Sequence, residues 1–202
     1  NGTFLPVSVK KVLEKKPPFL IEVSLYGVSK NVYESVTQRQ GSFEKIKENI
    51  DSLLRINAPF VLKTVGLKQN KEEIVQVKAL AQKLLGEKKF KFDSFIFPRL
   101  NGDRTPCQHR LSPTEILEIE SADSDMAGQR RRELHQPFDL KRPPEFLYQC
   151  NSWMTQFFIN PYGYLQPCHL SKNLSVNLNN TSFSEGFYNL FPNLLNEKFN
   201  TE

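Results

Sequence analysis

Cysteine is scarce in this chain, which has only three among 202 residues, at Cys107, Cys150 and Cys168. Three widely spaced thiols cannot form the disulfide framework that stabilises small secreted domains. We therefore expect a reducing, cytoplasmic setting in which some thiols bind a metal and others stay free. Cys107 has no partner at the spacing of a zinc site, so we interpret it as an incidental loop thiol.

Long apolar runs are also missing. No stretch approaches the roughly 18 apolar residues of a membrane-spanning helix. Residues 1–4 lack the basic and then apolar start of a signal peptide. Charge of one sign is not concentrated either, because the net charge is +5 and the lysine excess is dispersed outside the arginines at 130–132. A dispersed excess is typical of a solvated surface, so we expect neither a membrane nor nucleic acid as a partner.

The first half of the chain alternates strand-like and helix-like patterns. Buried strands are predicted over 19–26, 60–65 and 90–97. Helices are predicted over 7–16, from Ser42 onwards, and after Asn70 with Glu73 in a capping-box position. The apolar faces of the two later helices consist of Phe43, Ile46, Ile50, Leu53 and Leu54 in the first, and of Ile74, Val77, Ala81 and Leu84 in the second.

The order strand, helix, strand, helix, strand favours a parallel sheet with helical crossovers. The strands carry few charges, as expected for a sheet that helices cover. We therefore predict an α/β fold that contains the C-terminal half of a partial (β/α)6 TIM-type barrel, with an open, doubly wound sheet as the alternative. Ser112 begins another capping-box pattern, residues 121–144 form a polar helical tail and linker, and a short helix over 184–191 ends at Pro192.

The last quarter of the chain is aromatic and rich in asparagine. Residues 157–160 and 164–166 predict two strands joined by the turn residues Pro-Tyr-Gly at 161–163. Cys150 and Cys168 flank this hairpin with a Cys-x12-Gly-x4-Cys spacing, so both thiolates could reach one metal centre. Soft thiolates select zinc or an iron–sulfur cluster over hard cations.

Several segments have an informative order. In the first third of the chain they are Asn-Gly-Thr at 1–3 and Val-Ser-Leu-Tyr-Gly at 23–27, the latter followed by Gly-Ser-Phe at 41–43. Further along they are residues 70–73, residues 97–102 with residues 110–113, and the hairpin segment 150–168 with residues 182–187. Together they resemble the radical S-adenosylmethionine enzymes with a C-terminal SPASM domain, particularly the peptide-modifying maturases. The resemblance implies a partial radical S-adenosylmethionine barrel over 1–120, a helical tail and linker over 121–145, and the N-terminal part of a SPASM domain over 146–202.

The resemblance also implies cofactors and site residues. In this family a reduced [4Fe-4S] cluster cleaves S-adenosylmethionine, and the resulting 5′-deoxyadenosyl radical removes hydrogen from a peptide or protein side chain. Ser24, at the end of a parallel strand, would hydrogen-bond the methionyl or ribose part of S-adenosylmethionine, and Asn1 would border the same pocket. Cys150 and Cys168 would be ligands of an auxiliary iron–sulfur cluster.

The chain departs from the family in two respects. The Cys-x3-Cys-x2-Cys loop that holds the catalytic cluster does not occur in residues 1–202, and the later SPASM cysteines are missing as well. We therefore expect an internal fragment that does not cleave S-adenosylmethionine by itself. The arginine that many relatives use for the methionyl carboxylate has no clear match, because Thr37 stands at its position and Arg39 is offset by about two residues.

The implied partners of the parent enzyme are a peptide or protein substrate, such as a ribosomally made precursor peptide, and an electron donor such as flavodoxin or ferredoxin. The alternatives are a zinc-binding module and a non-catalytic α/β interaction module. Iron with acid-labile sulfide would favour the enzyme, and stoichiometric zinc would favour the zinc-binding module.

Overall fold

The structure is a computed structural model that describes residues 2–135, 154–169, 171, 174–196 and 198. The chain divides into two compact units, Asn1–Leu134 and His135–Glu202, and each is described by itself. Two of the predicted site residues, Asn1 and Cys150, lie outside the described residues, as does the predicted linker segment 136–145. No helix in the described part of the chain is long and apolar enough to cross a bilayer.

A three-stranded parallel sheet forms the centre of the first unit. Its strands are β1 (Ile21–Ser24), β2 (Phe60–Val65) and β3 (Phe90–Asp93), in the order β1-β2-β3. The parallel pairing confirms the prediction from the alternation of strands and helices. Two strands are shorter than predicted. Strand β3 ends at Asp93, whose carboxylate accepts a hydrogen bond from the Phe95 N–H at 2.9 Å.

Four helices of the first unit accompany the sheet. They are α1 (Val7–Lys15), α2 (Lys30–Thr37), α3 (Ser42–Arg55) and α4 (Ile74–Leu85), and α4 follows a single 3-10 turn at Lys71–Glu73. The core side chains are Val23, Phe60 and Leu62 from the strands and Leu25 just after β1, with Tyr33, Ile46, Ile50, Leu53, Val77 and Ala81 from the helices. The apolar face predicted for α3 therefore packs on one face of the sheet, as do Val77 and Ala81 of α4. Ile74 packs instead in a separate cluster with Leu111, Ile119 and Met126, and Leu84 is 37% exposed.

The opposite face of the sheet is mostly polar, although Val61 of β2 lies on it and is only 4% exposed. Glu22, Lys63, Lys91 and Asp93 share it, because paired and alternate residues of neighbouring strands point the same way. Their side chains keep between 30% and 48% of their surface exposed. The expectation that helices cover the sheet is therefore wrong for this face. A half-open polar face is unlike a doubly wound sheet, whose two faces are both covered by helices.

Helix α2 has no counterpart among the predicted elements. It begins after Ser29, whose hydroxyl accepts a hydrogen bond from the Val32 N–H at 3.3 Å, and it ends at Gln38 in the left-handed conformation. Tyr33 is its buried residue. A serine cap followed by apolar residues at helical spacing can indicate a helix in the sequence. A helix of eight residues, however, contains too few repeats of the apolar pattern to stand out.

The capping box predicted at Asn70 and Glu73 is wrong. The Asn70 side chain instead closes the loop after β2, because it accepts a hydrogen bond from the Leu67 N–H at 2.8 Å and donates one to the Val65 carbonyl at 3.0 Å. The Glu73 carboxylate points away from its own helix and binds the start of α2. For Glu73, tertiary hydrogen bonds have replaced the local ones that the sequence pattern favours, whereas Asn70 forms different local ones.

Two further helices complete the first unit. The capping box at Ser112 is confirmed, because the Ser112 hydroxyl and the Glu115 carboxylate each accept a hydrogen bond from the other residue's backbone N–H at the start of α5 (Pro113–Ser121). Helix α6 (Ser124–His135) supplies the helical part of the predicted tail. Lys78 of α4 binds the carboxylates of Asp123 and Asp125 at the start of α6.

The second unit contains the predicted β-hairpin. Strands β4 (Phe158–Ile159) and β5 (Tyr164–Gln166) pair antiparallel, and β6 (Val176–Asn177) pairs antiparallel with β5. In the turn, the Gly163 N–H donates to the Asn160 carbonyl at 3.0 Å, and Gly163 has φ +82°, which explains the need for glycine there. The hairpin prediction is confirmed.

The helical segment after the hairpin does not end at Pro192. A stretch of π-helix at Glu185–Leu190 continues into α7 (Phe191–Leu195), where Pro192 is the second residue. The Phe191 N–H bonds the Gly186 carbonyl, five residues back. Proline lacks an N–H and clashes with the carbonyl four residues earlier in a regular α-helix. The wider π turn places Pro192 in the first turn of α7, where an N–H is not needed.

Candidate functional site

Ser24 lies at the carboxyl end of β1, as predicted. It is half-buried and pairs with Lys63 of β2. Its side chain belongs to the polar face of the sheet, since it lies two residues beyond Glu22. In parallel α/β folds, ligands bind at the carboxyl ends of the strands. The position of Ser24 therefore suits a ligand contact, and its role stays a prediction.

A cavity of about 330 Å³ lies just beyond this strand end. It is lined by Thr3, Tyr26, Tyr33, Val36, Thr37, Arg39 and Ser42. These described residues contribute hydroxyl groups and one guanidinium but no carboxylate. A lining of donors and one cation suits a ligand group that is anionic or that accepts hydrogen bonds. Ser24 is not part of the lining, although Tyr26 lies only two residues after it.

Tyr33 is the most buried polar group of this cavity. Its side chain is 0% exposed, and its ring packs against Tyr26 and Phe43 with centroid distances of 5.9 and 5.8 Å. Its hydroxyl is buried and has no hydrogen-bond partner in the described part of the chain. Burial, with a smaller contribution from Tyr26, raises the pKa of Tyr33 to about 12. The hydroxyl therefore stays protonated at neutral pH and is able to donate.

Two other hydroxyls of the cavity, those of Thr37 and Ser42, are already engaged. Thr37 donates to the Tyr33 carbonyl at 3.1 Å, and its oxygen lies 2.8 Å from the Ser42 hydroxyl. Because Thr37 has one proton to donate, Ser42 must be the donor of the second bond. Arg39 differs from these residues, since its exposed guanidinium has no hydrogen bond or ion pair with another described residue. Arg39 is therefore the cation of this lining that remains available to an anionic group.

Glu73 fixes the loop between Ser24 and α2. Its carboxylate accepts hydrogen bonds from the Val28 N–H at 2.7 Å, the Ser29 N–H at 3.0 Å and the Ser29 hydroxyl at 2.5 Å. A Cβ added at Gly27 would lie 2.6 Å from the same carboxylate, so only glycine fits beside it. The sequence pattern assigned Glu73 to a local cap and missed this contact. Glu73 is separated from Ser29 by 44 positions and from Val28 by 45.

A network of charges lies on the polar face next to Ser24. The Lys63 ammonium lies 3.3 Å from the Asp93 carboxylate and 3.8 Å from the Glu22 carboxylate, and Lys91 binds Glu22 at 2.5 Å. The hydrogen bond from Lys91 is the main cause of a lowered pKa of Glu22. Two lysines and two carboxylates thus cancel in charge, which keeps this face polar without making it strongly acidic or basic.

The predicted metal ligands are only partly within the described residues. Cys168 is half-buried two residues after β5, with its sulfur 3.9 Å from the His169 Nδ1 atom. Whether Cys150 approaches it stays a prediction, because Cys150 lies outside the described part. Cys107 is half-buried in a 3-10 helix at Thr105–His109. The described residues contain no group of three or more histidine, cysteine or acidic side chains able to hold a metal.

Comparisons with known proteins add one finding. No family model matches the sequence, and no curated protein matches it. Among solved structures, native anSMEcpe with bound AdoMet (S-adenosylmethionine) is similar, with a TM-score of 0.62 and 17% identity over 93% of this chain and 55% of that one. Native anSMEcpe with bound AdoMet and Kp18Cys peptide gives a TM-score of 0.59 and 15% identity with the same coverage. The chain thus shares that fold while spanning about half the length of the protein it resembles.

Proposed function

We propose that this chain is part of a radical S-adenosylmethionine enzyme that modifies a peptide or protein side chain in the cytoplasm. Within it, we propose that the carboxyl end of β1 binds S-adenosylmethionine. The observation that carries the proposal is the cavity lined by Tyr26, Tyr33 and Arg39, in which the Arg39 guanidinium and the buried Tyr33 hydroxyl have no partner among the described residues. The fold shared with anSMEcpe, which was solved with bound AdoMet, supports it.

The residues present fit the polar end of S-adenosylmethionine. Its methionyl group carries a carboxylate, which matches a lining of donors and one cation. Arg39 would bind that carboxylate in place of the arginine that many relatives have at the position of Thr37. Tyr33 would donate a hydrogen bond to the same methionyl group, and Ser24 would donate one to the methionyl or ribose part. Asn1 is proposed to border the same pocket. When bound, S-adenosylmethionine supplies the radical chemistry, and the protein supplies binding and orientation.

The catalytic iron–sulfur cluster does not fit this chain. Its three cysteines include no Cys-x3-Cys-x2-Cys loop, and no described group of side chains could hold a metal. We therefore propose that residues 1–202 alone do not cleave S-adenosylmethionine. Anaerobic incubation of the chain with iron, sulfide, dithionite and S-adenosylmethionine should give no 5′-deoxyadenosine. Formation of that product would contradict this proposal.

For the second unit we propose that Cys168, together with Cys150, contributes to an auxiliary cluster. The hairpin holds Cys168 at a strand end, and His169 next to it could orient the thiolate. Iron with acid-labile sulfide in the purified chain would support a cluster remnant. Stoichiometric zinc instead would support the zinc-binding alternative.

The substrate is proposed to be a peptide or a protein segment. The structure of anSMEcpe with bound AdoMet and Kp18Cys peptide supports a peptide partner, and the polar face with Glu22, Lys63, Lys91 and Asp93 offers groups of both signs for such a substrate. The electron donor is proposed to be a flavodoxin or a ferredoxin.

Equilibrium binding of S-adenosylmethionine tests the proposed site directly. Isothermal titration calorimetry of the chain should show binding that Arg39→Ala weakens by roughly fivefold, the range expected for an exposed charge pair. Lys45→Ala is the matched control, because Lys45 is an exposed cation on α3 outside the cavity lining. Decarboxylated S-adenosylmethionine should bind the unchanged chain and Arg39→Ala equally weakly. Equal binding of both ligands to the unchanged chain would contradict carboxylate recognition by Arg39.

A further inference from the structure

A second site runs along the outer edge of β3, within the first unit. Two adjoining cavities of about 590 and 150 Å³ share Phe92, Met126 and Gln129 in their linings. One extends along β3 towards Lys88, and the other extends past its end to Phe95. One wall is the strand and the other is α6. The two adjoining cavities are together called the β3–α6 groove below.

The strand presents unpaired backbone groups to this groove. The Leu62 N–H donates to the Lys89 carbonyl at 3.0 Å, and the Gly66 N–H donates to the Asp93 carbonyl at 2.8 Å. Alternate residues of a strand point their backbone groups to opposite sides, so the N–H and C=O groups of Phe90 and Phe92 point away from β2. None of these four groups has a hydrogen-bond partner among the described residues, in which β3 is an edge strand.

Helix α6 lines the edge without pairing with it. Met126 of α6 is buried in one apolar cluster with Phe90 and Phe92, so the helix is fixed beside the strand by side-chain packing. Between them remains the groove itself, which contains no described backbone. A helix and an edge strand that flank a groove leave room for one extended segment, which would satisfy the four backbone groups by strand addition.

The charges of the groove indicate the kind of segment. Most charged side chains of the groove are already paired. Carboxylates bind Lys78, Lys91 and Arg130, and lysines bind Asp93 and Asp125. The side chains without an ion pair to another described residue are two cations, Lys88 and Arg132, and one carboxylate, Glu87. An acidic partner is thus favoured over a basic one.

We propose that the β3–α6 groove binds an extended, acidic peptide segment, which adds to the edge of β3 as a further strand and places its carboxylates near Lys88 and Arg132. Backbone pairing would supply the affinity, and the two cations would supply the preference for acidic side chains. This groove is separate from the cavity beside Tyr33, so the proposal neither requires nor tests binding of S-adenosylmethionine.

The test uses the whole chain and a fluorescein-labelled, capped peptide of seven alternating glutamates and threonines. Fluorescence anisotropy should show saturable binding. N-methylation of the peptide at alternate positions, in the register that removes its donors to β3, should weaken binding by roughly tenfold, because it breaks more than one hydrogen bond. A peptide with lysine in place of glutamate should bind worse than the acidic one. In the protein, Arg132→Ala should weaken binding by about threefold, and Arg131→Ala, which removes the same charge outside the groove lining, should not.

Amide resonances locate the bound peptide. The amides of Phe90 and Phe92 should shift on titration and exchange more slowly with solvent in the complex, because they gain hydrogen-bond partners. Three results would overturn the proposal: no binding of the acidic peptide below roughly 1 mM, equal affinity for peptides methylated in either register, or amide shifts confined to residues outside β3 and α6.

Discussion

Replacing Tyr33 by phenylalanine should stabilise the protein and weaken its ligand binding at the same time. The substitution removes one hydroxyl from a side chain that is 0% exposed and leaves the ring contacts with Tyr26 and Phe43 in place. That hydroxyl has no partner in the described part of the chain. A buried polar group without a partner costs about 1–3 kcal/mol. We therefore expect Tyr33→Phe to raise the free energy of unfolding by about 1 kcal/mol, the low end of that range.

The same substitution removes the donor that we assign to S-adenosylmethionine. Loss of one neutral hydrogen bond should weaken binding by roughly fivefold, which corresponds to about 1 kcal/mol. Urea unfolding followed by circular dichroism gives the stability change as a shifted midpoint with an unchanged slope. Calorimetric titration gives the affinity. Tyr188→Phe is the matched control, because Tyr188 is 66% exposed and lies in the second unit, and it should change neither quantity.

Alkaline pH provides an independent check on Tyr33. Its folded-state pKa is raised from 10.0 to about 12 by burial, so the folded chain keeps a proton that the unfolded chain loses. Ionisation of Tyr33 therefore leaves stability unchanged below pH 10 and lowers it as the pH rises from 10 towards 12. Tyr33→Phe should lack this part of the decline. A variant that is less stable than the unchanged protein, with unaltered affinity for S-adenosylmethionine, would refute the reasoning, since the hydroxyl would then have a structural partner.

Three other substitutions test the contacts that hold the first unit together. Glu73→Gln should lower the free energy of unfolding by about 1–2 kcal/mol, because a neutral amide replaces a carboxylate that caps α2 with three hydrogen bonds. Lys78→Met should cost about 1–3 kcal/mol, because it leaves the largely buried Asp123 carboxylate without its cation. The pKa of Glu115 is lowered from 4.5 to about 2, chiefly by the Ser112 backbone N–H, so its contribution is present above pH 4.5 and is lost towards pH 2. Glu115→Gln should flatten the acid limb of the stability profile over that range.

Each of these predictions has a control on the same element. Glu72→Gln removes a charge that is largely exposed and should change stability little, whereas an effect equal to that of Glu73→Gln would indicate a general charge effect. Lys83→Met is the exposed counterpart of Lys78→Met on α4. Glu118→Gln lies on α5 beside Glu115 without its cap, and an equally flattened acid limb in this variant would contradict the assignment to Glu115.

Local patterns predicted the elements of this fold where neighbouring residues decide the structure. The apolar period from Ile46 to Leu53 gave α3, and the parallel sheet followed from the alternation of helices and strands. The turn residues before Gly163 gave the hairpin, because a left-handed residue at that position requires glycine. Ser112 gave a helix start whose two capping bonds both lie within four residues.

Distant contacts account for what the sequence did not predict. Glu73 was assigned to its own helix because the capping-box pattern is local, yet its carboxylate caps α2 across more than 40 residues. Tyr33 and Arg39 line one cavity only because α2 folds back beside the end of β1. The place of Ser24 at the end of β1 was predictable, because the end of a parallel strand is visible in the sequence, and its cofactor role stays a prediction. The pairing of Cys150 with Cys168 stays a prediction.

The most direct test of the central claim is a map of where S-adenosylmethionine binds. Amide and side-chain NMR shifts of the isotope-labelled chain, recorded during titration with S-adenosylmethionine, report the contact residues without any need for turnover. We predict that the largest changes occur at Ser24, Tyr26, Tyr33 and Arg39, at the carboxyl end of β1. Saturable binding with shifts confined to other parts of the chain, or no shift at these four residues at saturation, would contradict the proposed site.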